Sequence, residues 1–258
     1  MITAQFLEYL KATAAIENHL RFFPKEFVSD TVVRAWEFGG LLSPQFEEDG
    51  RTIKRMWLNV VAHQVAVART GHAFAKALKD ALVEERAHVG VIVLACLVHD
   101  ATKRREQDIR DSATRRGQDD AVAVRELERS KEFLLEIGFT EEIADLASYT
   151  GNRGFEDLLA GNGTLTQKIV FYSDCVVSNY DIVGYKKRFD DVLPHFEPGG
   201  RYHGEQQSYI RRYNRTHREM WDSVVIPLQE FFAKLLRHHD SVDTLPLTLT
   251  AEVQALNP

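Results

Sequence analysis

The stretch VGVIVLACLV, residues 89–98, contains ten consecutive residues without a charged or strongly polar side chain. A helix that is apolar on all sides belongs inside a protein. Ten residues are about half of the roughly 20 needed to cross a bilayer, so the stretch predicts a central core helix, at about residues 84–99, rather than a membrane span. His99 and Asp100 follow directly, which places two polar side chains at the end of the most buried segment.

Outside this stretch, apolar residues recur at spacings of three and four, and no run alternates with a period of two. This periodicity predicts an all-α fold, which we expect to form one domain with a helical core at residues 51–195. An N-terminal helical extension (1–50) would pack on that core, followed by a C-terminal helical segment (196–240) and an extended or mobile tail (241–258). Residues 43–52 read as a loop. The predicted helices outside the central one are 4–20, 25–38, 53–79 with a break near Gly71, 121–137, 140–149, 166–179, 181–193, and 206–238 with a kink or break at Pro227.

The composition is that of an ordinary folded protein of 258 residues, with 44% hydrophobic and 27% charged residues. Lys and Arg number 32 against 38 Asp and Glu, and the net charge of −6 argues against a nucleic-acid coat or a polybasic membrane binder. Cys96 and Cys175 both lie in apolar runs, which favours free thiols in a reducing compartment. The first 20 residues lack the layout of a signal peptide, so we expect a cytoplasmic protein without a membrane partner. A homo-oligomer is compatible with all of these features.

Four polar residues lie on apolar helical segments. His63 is enclosed in WLNVVAHQVAVA and Asp174 in KIVFYSDCVVS, and His99 and Asp100 close the central helix. A lone buried histidine is more often a hydrogen-bonded core residue, and a lone buried aspartate is often a cap or an ion-pair partner. Together, two imidazoles and two carboxylates form a nitrogen and oxygen ligand set suited to a divalent metal, which would also neutralise the buried carboxylates.

The order of these residues, His63, then His99 with Asp100, then Asp174, resembles the signature of the HD-domain metal-dependent phosphohydrolases. The segment LACLVHDATK is similar to the family's apolar helix that ends in His-Asp with a lysine three residues later, and KIVFYSDCVVSNYDIVGYKKRF is similar to its last-ligand helix. The resemblance covers about residues 55–190. It implies an HD-type helical core in which His63, His99, Asp100 and Asp174 bind the metal.

The resemblance also implies the chemistry, which is hydrolysis of a small phosphate ester, foremost a nucleotide. No histidine occurs between Asp100 and Asp174, where two-metal branches of the family carry extra ligands, so we expect one divalent ion. Mn, Fe, Co, Ni, Zn and Mg are all compatible with two histidines and two carboxylates.

Charged residues near the His99–Asp100 pair are candidates for substrate binding and proton transfer. We expect Lys103 to hold a phosphate and to stabilise charge in the transition state, with Arg104 or Arg188 assisting. Asp100 would accept a proton from the attacking water, with Glu106 as the alternative base. Two other functions stay open: a regulatory protein with a structural or degenerate metal site, and a metal-dependent nuclease, against which the acidic charge counts.

Overall fold

The structure, a computed structural model, describes residues 4–21, 25–42, 46–48, 51–53, 57–85, 87–108, 130–200, 203–238 and 240–255. The fold is all-α, as the periodicity predicts. The α-helices, in chain order, are α1 (Ala4–Leu20), α2 (Asp30–Phe38), α3 (Leu58–Ala77), α4 (Lys79–Glu84), α5 (Val89–Val98), α6 (Ser130–Ile137), α7 (Glu141–Ser148), α8 (Asn152–Leu159), α9 (Leu165–Cys175), α10 (Tyr185–Val192), α11 (His203–Tyr213), α12 (His217–Leu235) and α13 (Leu245–Ala255), with a further helical turn at residues 103–108. The strands form two short antiparallel hairpins, β1 (Phe46–Glu48) with β2 (Arg51–Ile53) and β3 (Val177–Ser178) with β4 (Asp181–Ile182).

Helices α3 and α5 form the centre of the core and run antiparallel. Gly71 lies against Ile92 and Cys96, whereas His63, two turns earlier on α3, contacts His99 after the end of α5. A Cβ atom at Gly71 would lie 2.8 Å from the Cys96 sulfur, so the close approach of the two helices requires glycine there. Helix α3 therefore continues through Gly71, and the expected break is wrong because this glycine serves packing.

Helix α2 supports the end of α5 that carries the His99–Asp100 pair. The Trp36 indole Nε1 donates a hydrogen bond of 2.9 Å to the carbonyl of Leu97, one of the last carbonyls of α5 that lack a partner within the helix. A Cβ atom at Gly39 would lie 1.9 Å from the Ala101 carbonyl oxygen, so the end of α2 can approach Ala101 only through glycine. The N-terminal segment is thus packed directly behind the pair.

Helix α9 and the hairpin that follows it bring Asp174 to the same place. A capping box between Thr164 and Gln167 starts α9, and Asp174 is its penultimate residue. After one turn residue the chain forms the β3–β4 hairpin, in which Val177 pairs with Ile182 and Ser178 with Asp181. The hairpin begins three residues after Asp174, so any contact that holds the hairpin also holds the end of α9.

Two expectations for the C-terminal part are wrong. The tail predicted to be extended or mobile at 241–258 contains α13, whose Leu245 and Leu249, one turn apart, are buried. Helix α13 packs on α3, and Pro246 is tolerated because the first turn of a helix needs no donor there. The predicted helix 206–238 is divided at Asn214, which has a positive φ of 51°, and the break expected at Pro227 is wrong because Pro227 lies inside the continuous α12. The alternative of a kink at Pro227 stays a prediction.

Two smaller differences concern the segment before α3 and the helix predicted at residues 121–137. Residues 46–53, expected within a loop that ends at 52, contain the β1–β2 hairpin, and α3 begins at Leu58 rather than 53. Of the helix predicted at 121–137, residues 130–137 are helical, and residues 121–129 lie outside the described residues.

Candidate metal centre

His63 is held on α3 with one ring nitrogen bonded to the backbone and the other directed at a carboxylate. Its Nδ1 lies 2.8 Å from the carbonyl oxygen of Asn179, in the turn of the β3–β4 hairpin. Because a carbonyl can only accept, Nδ1 carries the hydrogen. Its Nε2 lies 2.9 Å from Asp174 Oδ1. Nε2 is therefore the atom that can bind a metal.

His99 shows the same division between its two ring nitrogens. Its Nδ1 donates to the carbonyl of Cys96 at 2.8 Å, which satisfies one of the last carbonyls of α5. Its Nε2 is buried and has no hydrogen-bond partner among the described residues. The ring centroids of His63 and His99 are 5.5 Å apart. A backbone bond to Nδ1 with a directed Nε2 is the usual arrangement of a metal-binding histidine.

The carboxylates of Asp174 and Asp100 face the two imidazoles. Asp174 Oδ1 lies between them, 2.9 Å from His63 Nε2 and 3.6 Å from His99 Nε2. Asp100 divides its oxygens, with Oδ2 3.8 Å from His99 Nε2 and Oδ1 3.5 Å from the Lys103 ammonium. The side chains of Asp100 and Asp174 remain 23% and 21% exposed, so the centre opens to solvent on its carboxylate side.

These residues fit a divalent cation. One ligand atom each from His63, His99 and Asp100 lies within 4.8 Å of the other two. Asp174 is outside that three-residue group, yet its oxygen is the nearest carboxylate atom to both imidazoles. The buried, unpartnered Nε2 of His99 is the clearest sign of fit, because leaving a buried polar atom without a partner costs free energy that a bound cation would recover. The identity of the metal is not determined by this set.

The electrostatics of the centre keep both carboxylates ionised. Burial alone would raise the pKa of Asp174, but the hydrogen bond from His63 and the proximity of the His99 imidazole hold it well below its usual range. For Asp100 burial is likewise outweighed, first by Lys103 and then by His99, and its pKa is lowered. Burial would lower the pKa of His99, yet Asp100 and Asp174 raise it to about 9. The field that stabilises a proton on this imidazole would also stabilise a divalent cation.

Lys103 lies at the solvent edge of the centre. Its ammonium contacts Asp100, and 36% of its side chain is exposed, so the charge can reach a bound anion. Arg188 lies on α10, and its charge opposes the rise in the pKa of the buried Cys175 thiol, which follows Asp174 directly. The contacts of Lys103 and Arg188 with a phosphate stay predictions.

Arg104 and Glu106, predicted to bind substrate and to act as the alternative base, each have a partner outside the group of ligand atoms. The buried guanidinium of Arg104 donates from Nη1 to the carbonyl of Gly40, at the end of α2, so its role is to join the helical turn at 103–108 to the N-terminal segment. Glu106 Oε1 accepts a hydrogen bond of 2.7 Å from Thr102 Oγ1. Neither of these two contacts is made to a residue of the metal centre.

One residue of the site was missed from the sequence. Asn179 supplies the carbonyl that orients His63, and its φ of 53° is a conformation that asparagine adopts more readily than most residues. Asn179 and Tyr180 lie between two short segments that contain valine or isoleucine, and an asparagine in a two-residue turn of this kind is typical of a β-hairpin.

Comparisons of the chain with known protein families, with curated proteins and with solved structures found no match. Among the described residues, no helix combines the length and the apolar character required to cross a membrane. The function proposed below therefore depends on the geometry of the metal centre and not on a relative.

Proposed function

We propose that the chain is a metal-dependent phosphohydrolase that acts on a nucleotide or another small phosphate ester. The observation that carries the proposal is the convergence of His63 Nε2, His99 Nε2 and the carboxylates of Asp100 and Asp174, with an exposed ammonium beside them. These four residues would hold one divalent ion. A divalent ion held there would polarise a phosphoryl oxygen and lower the pKa of a water molecule.

The surroundings favour a catalytic site over a structural metal site. Structural sites are closed and saturate the metal with protein ligands, whereas catalytic sites keep a position open for water or substrate. About a fifth of each carboxylate side chain is exposed here, and the opening lies beside Lys103. A small phosphate ester could therefore reach the centre from that side.

Lys103 would bind the phosphate, and Asp100 would bind the metal ion and accept a proton. The Lys103 ammonium would bind a phosphoryl oxygen and stabilise the charge that builds up in the transition state. Asp100 would bind the ion through Oδ2, leaving Oδ1 beside Lys103 to accept a proton. Since Lys103 and His99 lower the pKa of Asp100, it is a weak base, and metal binding is its main role. Arg188 would provide a second positive charge at the Asp174 edge.

Metal content and phosphate release together test the proposal. Elemental mass spectrometry of the purified chain should find about one metal per chain, and a nucleotide panel with Mn²⁺ should yield phosphate. A His63→Ala, Asp174→Ala double variant should lose both properties. A His239→Ala, Asp240→Ala variant is the matched control, because it removes the other His-Asp pair in the sequence, and it should retain both.

The other outcomes favour the alternative functions. Metal content unchanged in the His63→Ala, Asp174→Ala variant would refute the ligand assignment. Metal loss without phosphate release from any substrate would favour a regulatory metal-binding protein. Activity on nucleic acid that falls steeply with salt would favour a nuclease, because counterion release makes binding to a polyanion strongly salt-dependent.

A further inference from the structure

The turn of the β3–β4 hairpin binds two histidines from distant parts of the chain. The Asn179 carbonyl accepts the bond from His63 Nδ1, and the next carbonyl, of Tyr180, lies 2.7 Å from His19 Nε2. His63 belongs to α3 and His19 to α1, so one two-residue turn joins the N-terminal helix to a candidate metal ligand.

The hydrogen positions on His19 follow from its partners. His19 is buried, and its Nδ1 lies 3.1 Å from Arg69 Nη1. A guanidinium can only donate, so Nδ1 of His19 accepts and Nε2 carries the hydrogen that it donates to Tyr180. Burial lowers the pKa of His19, which keeps the ring in this neutral form. His19 therefore accepts a hydrogen bond from Arg69 on α3 and donates one to the hairpin turn.

The opposite side of the hairpin is held by α10. The buried Ser178 hydroxyl donates to Asp191 Oδ2 at 2.5 Å, and the other oxygen of Asp191 pairs with Lys187. Contacts from α1 and from α10 thus restrain the hairpin on both sides of the Asn179 carbonyl. A displacement of that carbonyl would release Nδ1 of His63, and the ring could then turn or exchange its hydrogen between the two nitrogens.

We propose that His19 is a positioning residue for the candidate metal centre. It holds the Tyr180 carbonyl, and through the shared turn the Asn179 carbonyl, so that His63 keeps its hydrogen on Nδ1 and directs Nε2 at Asp174. The inference rests on the proposed function for its metal, and it assigns the N-terminal helix a part in that function. Groups that orient metal ligands change metal affinity about 10- to 100-fold when they are removed.

A substitution series at His19 tests the role, with His72 as the matched control. His19→Leu removes both bonds, whereas His19→Gln can donate to Tyr180 and accept from Arg69 through its amide. His72 is a second buried histidine on α3, and it packs against Phe27. We expect His19→Leu to weaken Co²⁺ binding about tenfold in a titration followed by visible absorption. The effect should lie at the lower end of the range because His19 does not contact His63 itself but binds the neighbouring carbonyl of the turn. We expect His19→Gln and His72→Leu to bind like the parent chain.

A second readout does not depend on metal. Long-range ¹⁵N–¹H correlation spectra of the metal-free chain report whether Nδ1 of each histidine carries hydrogen, and Nδ1 of His63 should be protonated in the parent and only partly protonated in His19→Leu. Asn179→Val, which disfavours the positive φ, and Asn179→Gly, which allows it, give an independent pair should His19→Leu not fold. The valine variant is expected to behave like His19→Leu and the glycine variant like the parent.

The outcomes separate this inference from the proposed function. If His19→Leu folds, binds Co²⁺ like the parent and leaves His63 unchanged, His19 has no positioning role. Loss of Co²⁺ binding in His72→Leu equal to that in His19→Leu would also overturn it, because the effect would then be general destabilisation. If the parent itself fails to bind Co²⁺, the proposed function fails, while the ¹⁵N comparison still decides the part of His19.

Discussion

His99 and His217 are buried to a similar extent, with 7% and 2% of their surfaces exposed, but they lie in opposite chemical surroundings. His99 stands between the carboxylates of Asp100 and Asp174, which raise its pKa to about 9 against the effect of burial. His217, at the start of α12, stacks on Phe196 with ring centroids 3.6 Å apart, and burial lowers its pKa to about 3. Burial alone therefore does not mark a functional histidine. The two histidines differ instead in their partners, because carboxylates lie beside His99 and aromatic rings beside His217.

The largest expected effect separates these two histidines by metal affinity. His99→Ala removes a ligand, so we expect the dissociation constant for Mn²⁺ or Co²⁺ to rise by more than about 100-fold, beyond the loss caused by removing an outer partner. His217→Phe keeps an aromatic ring in the stack and should leave the constant unchanged. Isothermal titration calorimetry measures both. Similar losses in the two variants would mean that the carboxylates beside His99 do not define a metal site.

The next largest effect distinguishes two adjacent basic residues, Lys103 and Arg104, by catalysis and stability. Lys103→Met should lower kcat/KM for a phosphate ester on the order of 100-fold at unchanged metal content, because a charge that stabilises the transition state is lost. Arg104→Met should leave kcat/KM nearly unchanged and lower the free energy of unfolding by about 1 to 3 kcal/mol, through loss of the bond to the Gly40 carbonyl. Loss of catalysis in Arg104→Met would instead indicate that Arg104 binds the substrate.

The sequence predicted the side chains of the centre better than their supports. His63, His99, Asp100 and Asp174 stand out because each interrupts an apolar helical segment, and the structure brings these four together. Backbone carbonyls anchor the rings, and the Asn179 carbonyl is 116 residues away from His63, so no local pattern indicates that contact. Lys103 and Arg104 are basic neighbours in sequence, and no local pattern shows that Arg104 binds the Gly40 carbonyl, 64 residues away. In α13, Leu245 and Leu249 have the four-residue spacing of a helix. Pro246 and the threonines of this segment are poor helix formers, so the sequence did not favour a helix there.

A pH series on the metal-free chain should give opposite slopes for the two histidines. The pKa of His99 rises from its ordinary 6.5 to about 9, so its stabilising contribution is complete below pH 6.5 and is lost as the pH rises through 9. The pKa of His217 falls from 6.5 to about 3, so its contribution is present above pH 6.5 and is lost as the pH falls towards 3. Each is expected to be on the order of 1 to 3 kcal/mol.

Urea unfolding in the presence of a chelator measures these slopes as differences between the parent and either His99→Gln or His217→Phe. The His99 difference should shrink between pH 6.5 and 9, and the His217 difference should grow above pH 3. A His99 difference that stays level across its window would show that Asp100 and Asp174 do not stabilise the charged ring.

The smallest effect extends the comparison from histidines to buried amides. Gln64 and Gln229 are both buried, but Gln229 Nε2 donates to Asp243 Oδ1 at 3.2 Å, whereas the amide of Gln64 lacks a partner within the described residues. Leucine has a similar volume and needs no hydrogen bond, so Gln64→Leu should raise the free energy of unfolding by about 1 kcal/mol and Gln229→Leu should lower it by a similar amount. Urea midpoints at constant slope measure both changes. If Gln64→Leu is instead the destabilised variant, its amide is satisfied by bound water or by a ligand next to His63, and Gln64 then belongs to the metal centre rather than to the core.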